Sequence, residues 1–402
     1  MTWLVLFGLL TVWWCRAEPL ASASDPSASP KTAGSEQGES EHDPTAISPP
    51  AGATELNNVA VTQAKAGHFE EAAALLRRAV QLDPHDATVR KNLSGILTDW
   101  ASQLEQQGRV DQAMAVFQEA IERDPENGVA LVRFGDLLYL KRSEIAQALT
   151  LWQRAHGHVP DAMWPGVANR ISQAQRDQLI ERGFTTRQTP HFDLRFEQAT
   201  DVNIAALEQV LEAAHARLSQ ELDEGPTRLT VLVYTERDLR RLYNQRDWTV
   251  GFYDGRIRLR LDDLTQAHLP DLVAHELAHA FLQHLYGGGI PIWVHEGFAQ
   301  VQEGPHQHGS EEARLEAGVA ARTLWIPLKW LDRHFAQPSS TEDIARAYVQ
   351  ARLVVSELVS RYGMGRFRAF LSKLSQGAAI DAAYDLAFAP SRWSRSDQGI
   401  FD

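Results

Sequence analysis

The chain has 402 residues, with 39 Lys and Arg against 52 Asp and Glu, a formal net charge of −13 and 44% hydrophobic residues. This length accommodates two folded domains with flanking segments. The acidic balance and the lack of any basic run argue against nonspecific nucleic-acid binding, and the single cysteine, Cys15, excludes an intrachain disulfide.

Residues 3–14 are almost wholly apolar. This is the length of a signal-peptide core and too short for an ordinary transmembrane helix. Cys15-Arg16-Ala17 offers a small-residue cleavage site, with Ala21-Ser22-Ala23 as an alternative. Acylation of Cys15 ranks below cleavage because bulky Trp14 precedes it. Residues 1–17 are therefore expected to be a signal peptide or N-terminal anchor, placing the protein in the periplasm or cell envelope, with membrane association through the N-terminus only. Residues 18–53 are rich in Ser, Pro, Ala, Gly and Glu. With so little to bury, they are expected to form a disordered linker.

A repeat follows over residues 54–160. Ala72, Ala79 and Pro84 recur as Ala113, Ala120 and Pro125, and again as Ala148, Ala155 and Pro160. Leu76, Phe117 and Trp152 hold the position four after each first Ala, and Gly67 and Gly108 sit five before the first two. These small, bulky and terminal-proline positions resemble three tetratricopeptide units, an all-α solenoid of paired helices whose concave face typically binds a protein partner. The first Pro-to-Pro step exceeds the ideal period of about 34, which predicts an insertion near Pro84 to Asn92 in the second unit. Residues 161–190 read as a connecting segment.

Residues 191–390 alternate strand and helix signals, predicting an α+β domain with a small mixed sheet. Residues 191–197 and 227–234 read as strands, with helices near 201–222 and 236–246. Asp254-Gly255 is a hairpin turn signal after residues 248–253. Arg256-Ile257-Arg258-Leu259-Arg260-Leu261 alternates charge and apolar side chains, which predicts a half-buried strand near a sheet edge. Such an edge could bind an extended peptide by main-chain hydrogen bonds, and the alternation equally fits an ordinary amphipathic strand.

The chemistry concentrates in His275-Glu276-Leu277-Ala278-His279. Apolar residues at helical spacing, Pro270 and Asp271 at the start, and Gly287-Gly288-Gly289 at the end predict a helix with one buried side. His275 and His279 are four apart and share a face, a spacing that suits two imidazole ligands of Zn²⁺. Glu276 can reach a metal-bound water as a general base. A catalytic zinc takes three protein ligands. Glu296, in the first turn of a second helix expected from Trp293, completes a His₂Glu set; Glu303 is the fallback ligand.

The helix and the following Trp293-Val294-His295-Glu296-Gly297-Phe298-Ala299 resemble the gluzincin metallopeptidases, and more broadly the minimal peptidase MA-like domains of bacteria. The resemblance implies a zincin-like fold over roughly residues 190–390, with His275, His279 and Glu296 as Zn²⁺ ligands and Glu276 as base. It also matches Tyr348, on a later helix, to the tyrosine that stabilises the oxyanion, although the same residue reads equally as a core aromatic. The sequence departs from the aminopeptidase branch, lacking the Gly-x-Met-Glu-Asn element that captures a free N-terminus. His295 is expected to point away from the site, and His284, His306 and His308 to be solvated. Residues 391–402 form a tail.

The expectation is thus a multi-domain chain: a tetratricopeptide solenoid, then an α+β zinc metallopeptidase domain acting as an endopeptidase on protein substrates. The alternative is a protein-binding scaffold whose zinc domain is structural or weakly active.

Overall fold

The computed structural model describes residues 51–197, 204–235, 251–260, 268–303 and 310–388. The expected leader, nearly all of the linker, the helix near 236–246, His306, His308 and the tail lie outside the described residues. Among those described, no helix is long and apolar enough to cross a membrane.

Three antiparallel helix pairs open the fold: α1 (Ala51–Lys65) with α2 (Phe69–Leu82), α3 (Ala87–Gln106) with α4 (Val110–Arg123), and α5 (Gly128–Arg142) with α6 (Ile145–Arg154). The recurring alanines Ala72, Ala79, Ala113, Ala120, Ala148 and Ala155 are fully buried, as are Leu76, Phe117 and Trp152. Small side chains let the paired helices approach, and the bulky residue fills the space beside them. The turns within the pairs need left-handed backbone, supplied by Gly67 (φ 84°), Gly108 (φ 73°) and, in the third pair, Ser143 (φ 54°). The extra length of the second unit is not a loop near Pro84. Helix α3 has 20 residues and α5 has 15, while both start three positions after their proline. The insertion is absorbed as added helical turns.

The connecting segment holds two elements that the sequence did not announce. Helix α7 (Trp164–Glu181) stacks on α6, and strand β1 (Phe184–Gln188) joins the sheet. The remaining strands are β2 (Phe192–Glu197), β3 (Leu229–Tyr234), β4 (Gly251–Tyr253) and β5 (Ile257–Arg260), in the order β1-β2-β3-β5-β4. The inner strands β2, β3 and β5 run parallel; β1 and β4 close the edges antiparallel. Between β2 and β3 lies α8 (Ile204–Leu222).

The register puts Leu194 beside Val231, and Val231 and Val233 beside Ile257 and Leu259, on one apolar face. This face packs on α8 and on the helical layer that follows: α9 (Leu269–Tyr286), α10 (Ile292–Gln302), α12 (Leu328–Ala336), α13 (Thr341–Tyr362), α14 (Met364–Ser375) and α15 (Ile380–Phe388), with α11 (Ser310–Ala320) against α13. Each fully buried large apolar side chain contributes roughly 1.5–3 kcal/mol.

The opposite face corrects the reading of residues 256–261. Strand β5 lies inside the sheet and β4 is the edge. Arg256 and Arg258 are 0% and 1% exposed. They face not solvent but α5 and α7, where Arg256 pairs with Asp177 (2.6 Å) and Glu181 (3.1 Å), and Arg258 with Asp177 (2.8 Å). Strict alternation marks two different environments on the two faces. It does not say that the polar face is wet.

Candidate metal centre

Helix α9 begins with Pro270 and Asp271 in its first turn and ends where Gly287 turns left-handed at φ 67°. Every residue from Leu272 to Leu282 is buried, so the two histidines sit inside the protein, one helical turn apart. A short 3₁₀ turn (Gly287–Gly289) leads to α10. Pro291, before α10, makes no side-chain cap. The cap comes instead from α12, where Asp332 Oδ1 accepts from the backbone N–H of Trp293 at 2.9 Å. Next to Glu296, Gly297 lets α10 cross α13 closely, since a Cβ there would lie 2.4 Å from the Ala351 carbonyl oxygen. Gln300 Nε2 also donates to the Tyr348 carbonyl at 3.3 Å.

These constraints converge on one point. His275, His279 and Glu296 form a buried group of ligand atoms. The two Nε2 atoms are 3.1 Å apart, and Glu296 Oε2 is 3.9 Å from His275 Nε2 and 3.8 Å from His279 Nε2. A point equidistant from all three lies about 2.1 Å from each, the length of a Zn–N or Zn–O bond. Two imidazoles and a carboxylate are also the donor chemistry that zinc takes. The residues fit a metal ion.

The second observation supporting that fit is Glu276. It is 0% exposed, and neither of its carboxylate oxygens has a hydrogen-bond partner among the described residues. An unsatisfied buried carboxylate is costly unless it serves a purpose. Burial pushes its carboxyl up to about 8, opposed by His275 and reinforced by Glu296 and Glu303. The group can therefore hold or release a proton near neutrality.

The histidines are held differently. Burial disfavours the charged form of both. At His275 the adjacent carboxylates outweigh it: Glu303 by charge and hydrogen bond, then Glu276 and Glu296, raising the imidazole to about 9. His279 lies 3.8 Å from Glu296 but has no counterpart of Glu303; burial, His275 and His295 push it well below the ordinary value. The expected fallback ligand Glu303 is therefore not part of the ligand triangle. His275 donates its Nδ1–H to Glu303 Oε1, which leaves Nε2 directed at His279 and Glu296. This outer carboxylate fixes the tautomer that metal ligation needs. The signal was Glu303's position seven after Glu296, two turns along one helical face.

The other candidates separate cleanly. His295 is buried beside His279, their rings 5.9 Å apart, and burial lowers it to about 4. It remains outside the ligand group. His284 is half-buried in the last turn of α9 rather than solvated, and burial lowers its imidazole. Tyr348 is 1% exposed on α13, edge-on to Phe335 at 4.9 Å, and α13 packs directly on α10.

A buried two-histidine, one-glutamate set that could hold a metal ion lies on a helical layer under a small mixed sheet. Residues 249–390 match the Peptidase MA superfamily, while residues 53–86 and 94–137 match tetratricopeptide repeats. No curated protein matches the chain. The chain thus joins tetratricopeptide repeats to a Peptidase MA superfamily domain, a peptidase-like unit with repeats suited to protein interaction. The superfamily match begins at the β4–β5 hairpin, so β1 to β3 and α8 lie outside it.

Proposed function

We propose that the protein is a zinc-dependent endopeptidase, with His275, His279 and Glu296 as ligands and Glu276 as general base. The single observation that carries this reading is the pairing of a ligand triangle of zinc dimensions with a buried Glu276 whose oxygens have no hydrogen-bond partner among the described residues. A structural metal site has no need of that carboxylate.

When bound, zinc supplies a Lewis acid that polarises a peptide carbonyl and makes water acidic near pH 7. The protein's own groups do the rest. A Glu276 carboxylate oxygen takes the proton of the attacking water, and the same oxygen hands it to the departing amine nitrogen, so the proton count closes over the cycle. Burial excludes competing water from Glu276. Glu303 keeps His275 in the ligating tautomer. Tyr348 is the proposed donor to the developing oxyanion, where one such donor is worth roughly 10²–10³ in kcat. The apolar residues 3–14 support an activity outside the cytoplasm, and the repeats recruit the substrate or a protein partner.

The test compares the purified chain with Glu276→Gln for zinc stoichiometry and for cleavage of an unfolded protein. One zinc per chain in both, with cleavage by the wild type alone, is expected. Zinc bound with no cleavage by either would overturn the peptidase reading and leave a protein-binding scaffold. N-terminal sequencing of the secreted chain tests the export segment.

A further inference from the structure

Both ends of the metal-ligating helix trace back to the repeats. At its C-terminal end, the turn of the second repeat lies against the backbone of α9. A Cβ on Gly108 would fall 2.5 Å from the His284 carbonyl oxygen, and one on Gly287 would fall 2.9 Å from that of Gln106. Toward its N-terminal half, Leu272 packs on Gly251 of β4, where a Cβ would lie 3.0 Å away. That strand belongs to a hairpin which the third repeat holds in turn. A Cβ on Gly255, at the hairpin tip, would lie 2.9 Å from Leu140 Cβ, and Lys141 Nζ donates to the Tyr253 hydroxyl at 3.3 Å. The buried pairs of Arg256 and Arg258 with Asp177 and Glu181 lock the same hairpin to α7.

We propose that the repeat stack is a positioning element of the metal site: the Gln106–Gly108 turn and the α5–α7 wall clamp α9 from its two ends, so a displacement of the repeats is a displacement of His275 and His279. This rests on the metal reading above only for its consequence, not for its mechanics. A packed interface without slack transmits small shifts rather than absorbing them. The repeats are then more than a recruiting arm, and a protein bound to their concave face is coupled to metal affinity, with the reciprocal effect that linkage requires. Gly108, which in the repeat pattern only has to make a turn, has a second duty that Gly67 lacks.

That difference supplies a matched control. Gly67 and Gly108 occupy equivalent turns with similar positive φ, 84° and 73°, but a Cβ on Gly67 would meet nothing within 4 Å. Gly67→Ala and Gly108→Ala therefore share the backbone strain and differ in the clash with α9. Hydrogen exchange and Zn²⁺ titration are read on the full chain. Both variants should loosen their own turn. Gly108→Ala alone should lose protection along residues 269–286 and bind Zn²⁺ about 2- to 30-fold more weakly. Equal α9 protection and equal Zn²⁺ affinity in the two variants would overturn the proposal. Should Gly108→Ala fail to fold, Leu140→Ala loosens the hairpin without a clash. It should lower protection in residues 251–260 and 269–286, and a change confined to α5 would sink the clamp. If the wild type binds no Zn²⁺, the metal reading falls, while the exchange comparison still decides whether the repeats hold α9.

Discussion

Two clusters of buried charge flank the sheet, and they are built on opposite principles. On the repeat side, Asp177 and Glu181 face Arg195, Arg256 and Arg258; three of their four carboxylate oxygens accept hydrogen bonds, and Glu181 Oε2, which accepts none, lies in an ion pair with Arg195. Asp177 Oδ2 accepts from Tyr139 and from both Arg256 and Arg258, and Oδ1 accepts from Gln173. Glu181 Oε1 accepts from Tyr234 and Arg256, while Oε2 pairs with Arg195 at 2.9 Å. On the other side, Glu276 is as deeply buried and has no such partner. Burial costs a carboxylate several kcal/mol, which only partners or function offset. A cluster whose carboxylates are matched by arginines is a joint, whereas a buried carboxylate without such a match marks a site. The acidities follow: the arginines and hydrogen bonds outweigh burial and lower Asp177, while burial wins at Glu276 and raises it.

The largest effect should come from breaking the joint. Asp177→Ala removes the carboxylate shared by Arg256 and Arg258 and leaves them only Glu181 and Asp254, an expected loss of about 3–5 kcal/mol in denaturant unfolding of the full chain. A loss under about 1 kcal/mol would show that water or relaxation satisfies the arginines, and the comparison would collapse.

The site should behave in the reverse sense. Glu276 has a folded-state pKa near 8, above the ordinary 4.5. The fold therefore holds this proton more tightly than the unfolded chain does. Its contribution to stability is fully present below pH 4.5 and is lost as pH rises through about 8. In protein treated with a chelator, Glu276→Gln should remove that slope and gain about 2 kcal/mol relative to wild type at pH 8. Parallel stability–pH curves for the two proteins would contradict the idea that Glu276 is unsatisfied.

A third, smaller effect separates ligand from orienter. Glu303→Ala frees the Nδ1 of His275 and should weaken Zn²⁺ binding about 10–100-fold in chelator competition. Glu303→Gln keeps an acceptor oxygen and should recover part of that loss. Undiminished affinity in the alanine variant would remove Glu303 from the site.

The two clusters were unequally visible in the sequence. His275, Glu276 and His279 were legible because their relation is local: one helical period fixes which side chains share a face. Glu296 was nearly so, since a glycine turn and a helix start suffice to bring it back. The joint was hidden. Arginine alternation at 256–260 looks the same whether its polar face meets water or a second buried layer, and the layer here is α7, 75 or more residues earlier by the Arg256–Glu181 pairing. Helix α7 itself is largely polar on the surface and buries only Val167, Ala174, Asp177 and Glu181, so no apolar stripe announced it. The repeats were readable position by position, yet the extra turns of α3 were not, because a proline-to-proline distance says how many residues are added and not where they go. That Gly108 touches α9 lies beyond any periodicity.

Asp332 tests whether the distinction between joint and site admits a middle case. Burial raises its carboxyl, but the backbone N–H groups of Trp293 and Ile292 oppose that rise. It is a buried carboxylate satisfied by a helix start, and the helix it starts carries Glu296. Because Pro291 offers no cap of its own, Asp332 is the one side chain among the described residues seen to cap α10. Asp332→Ala should cost about 1 kcal/mol, the ordinary value of an N-cap, while Asp332→Asn, which keeps the accepting oxygen, should cost less. Because the loss frees the first turn of α10, it should also reach Glu296, lowering Zn²⁺ affinity along with stability. A stability loss with unchanged Zn²⁺ affinity would mean that Glu296 is held by the crossing at Gly297 alone, and that the α12 contact belongs to the core rather than to the site.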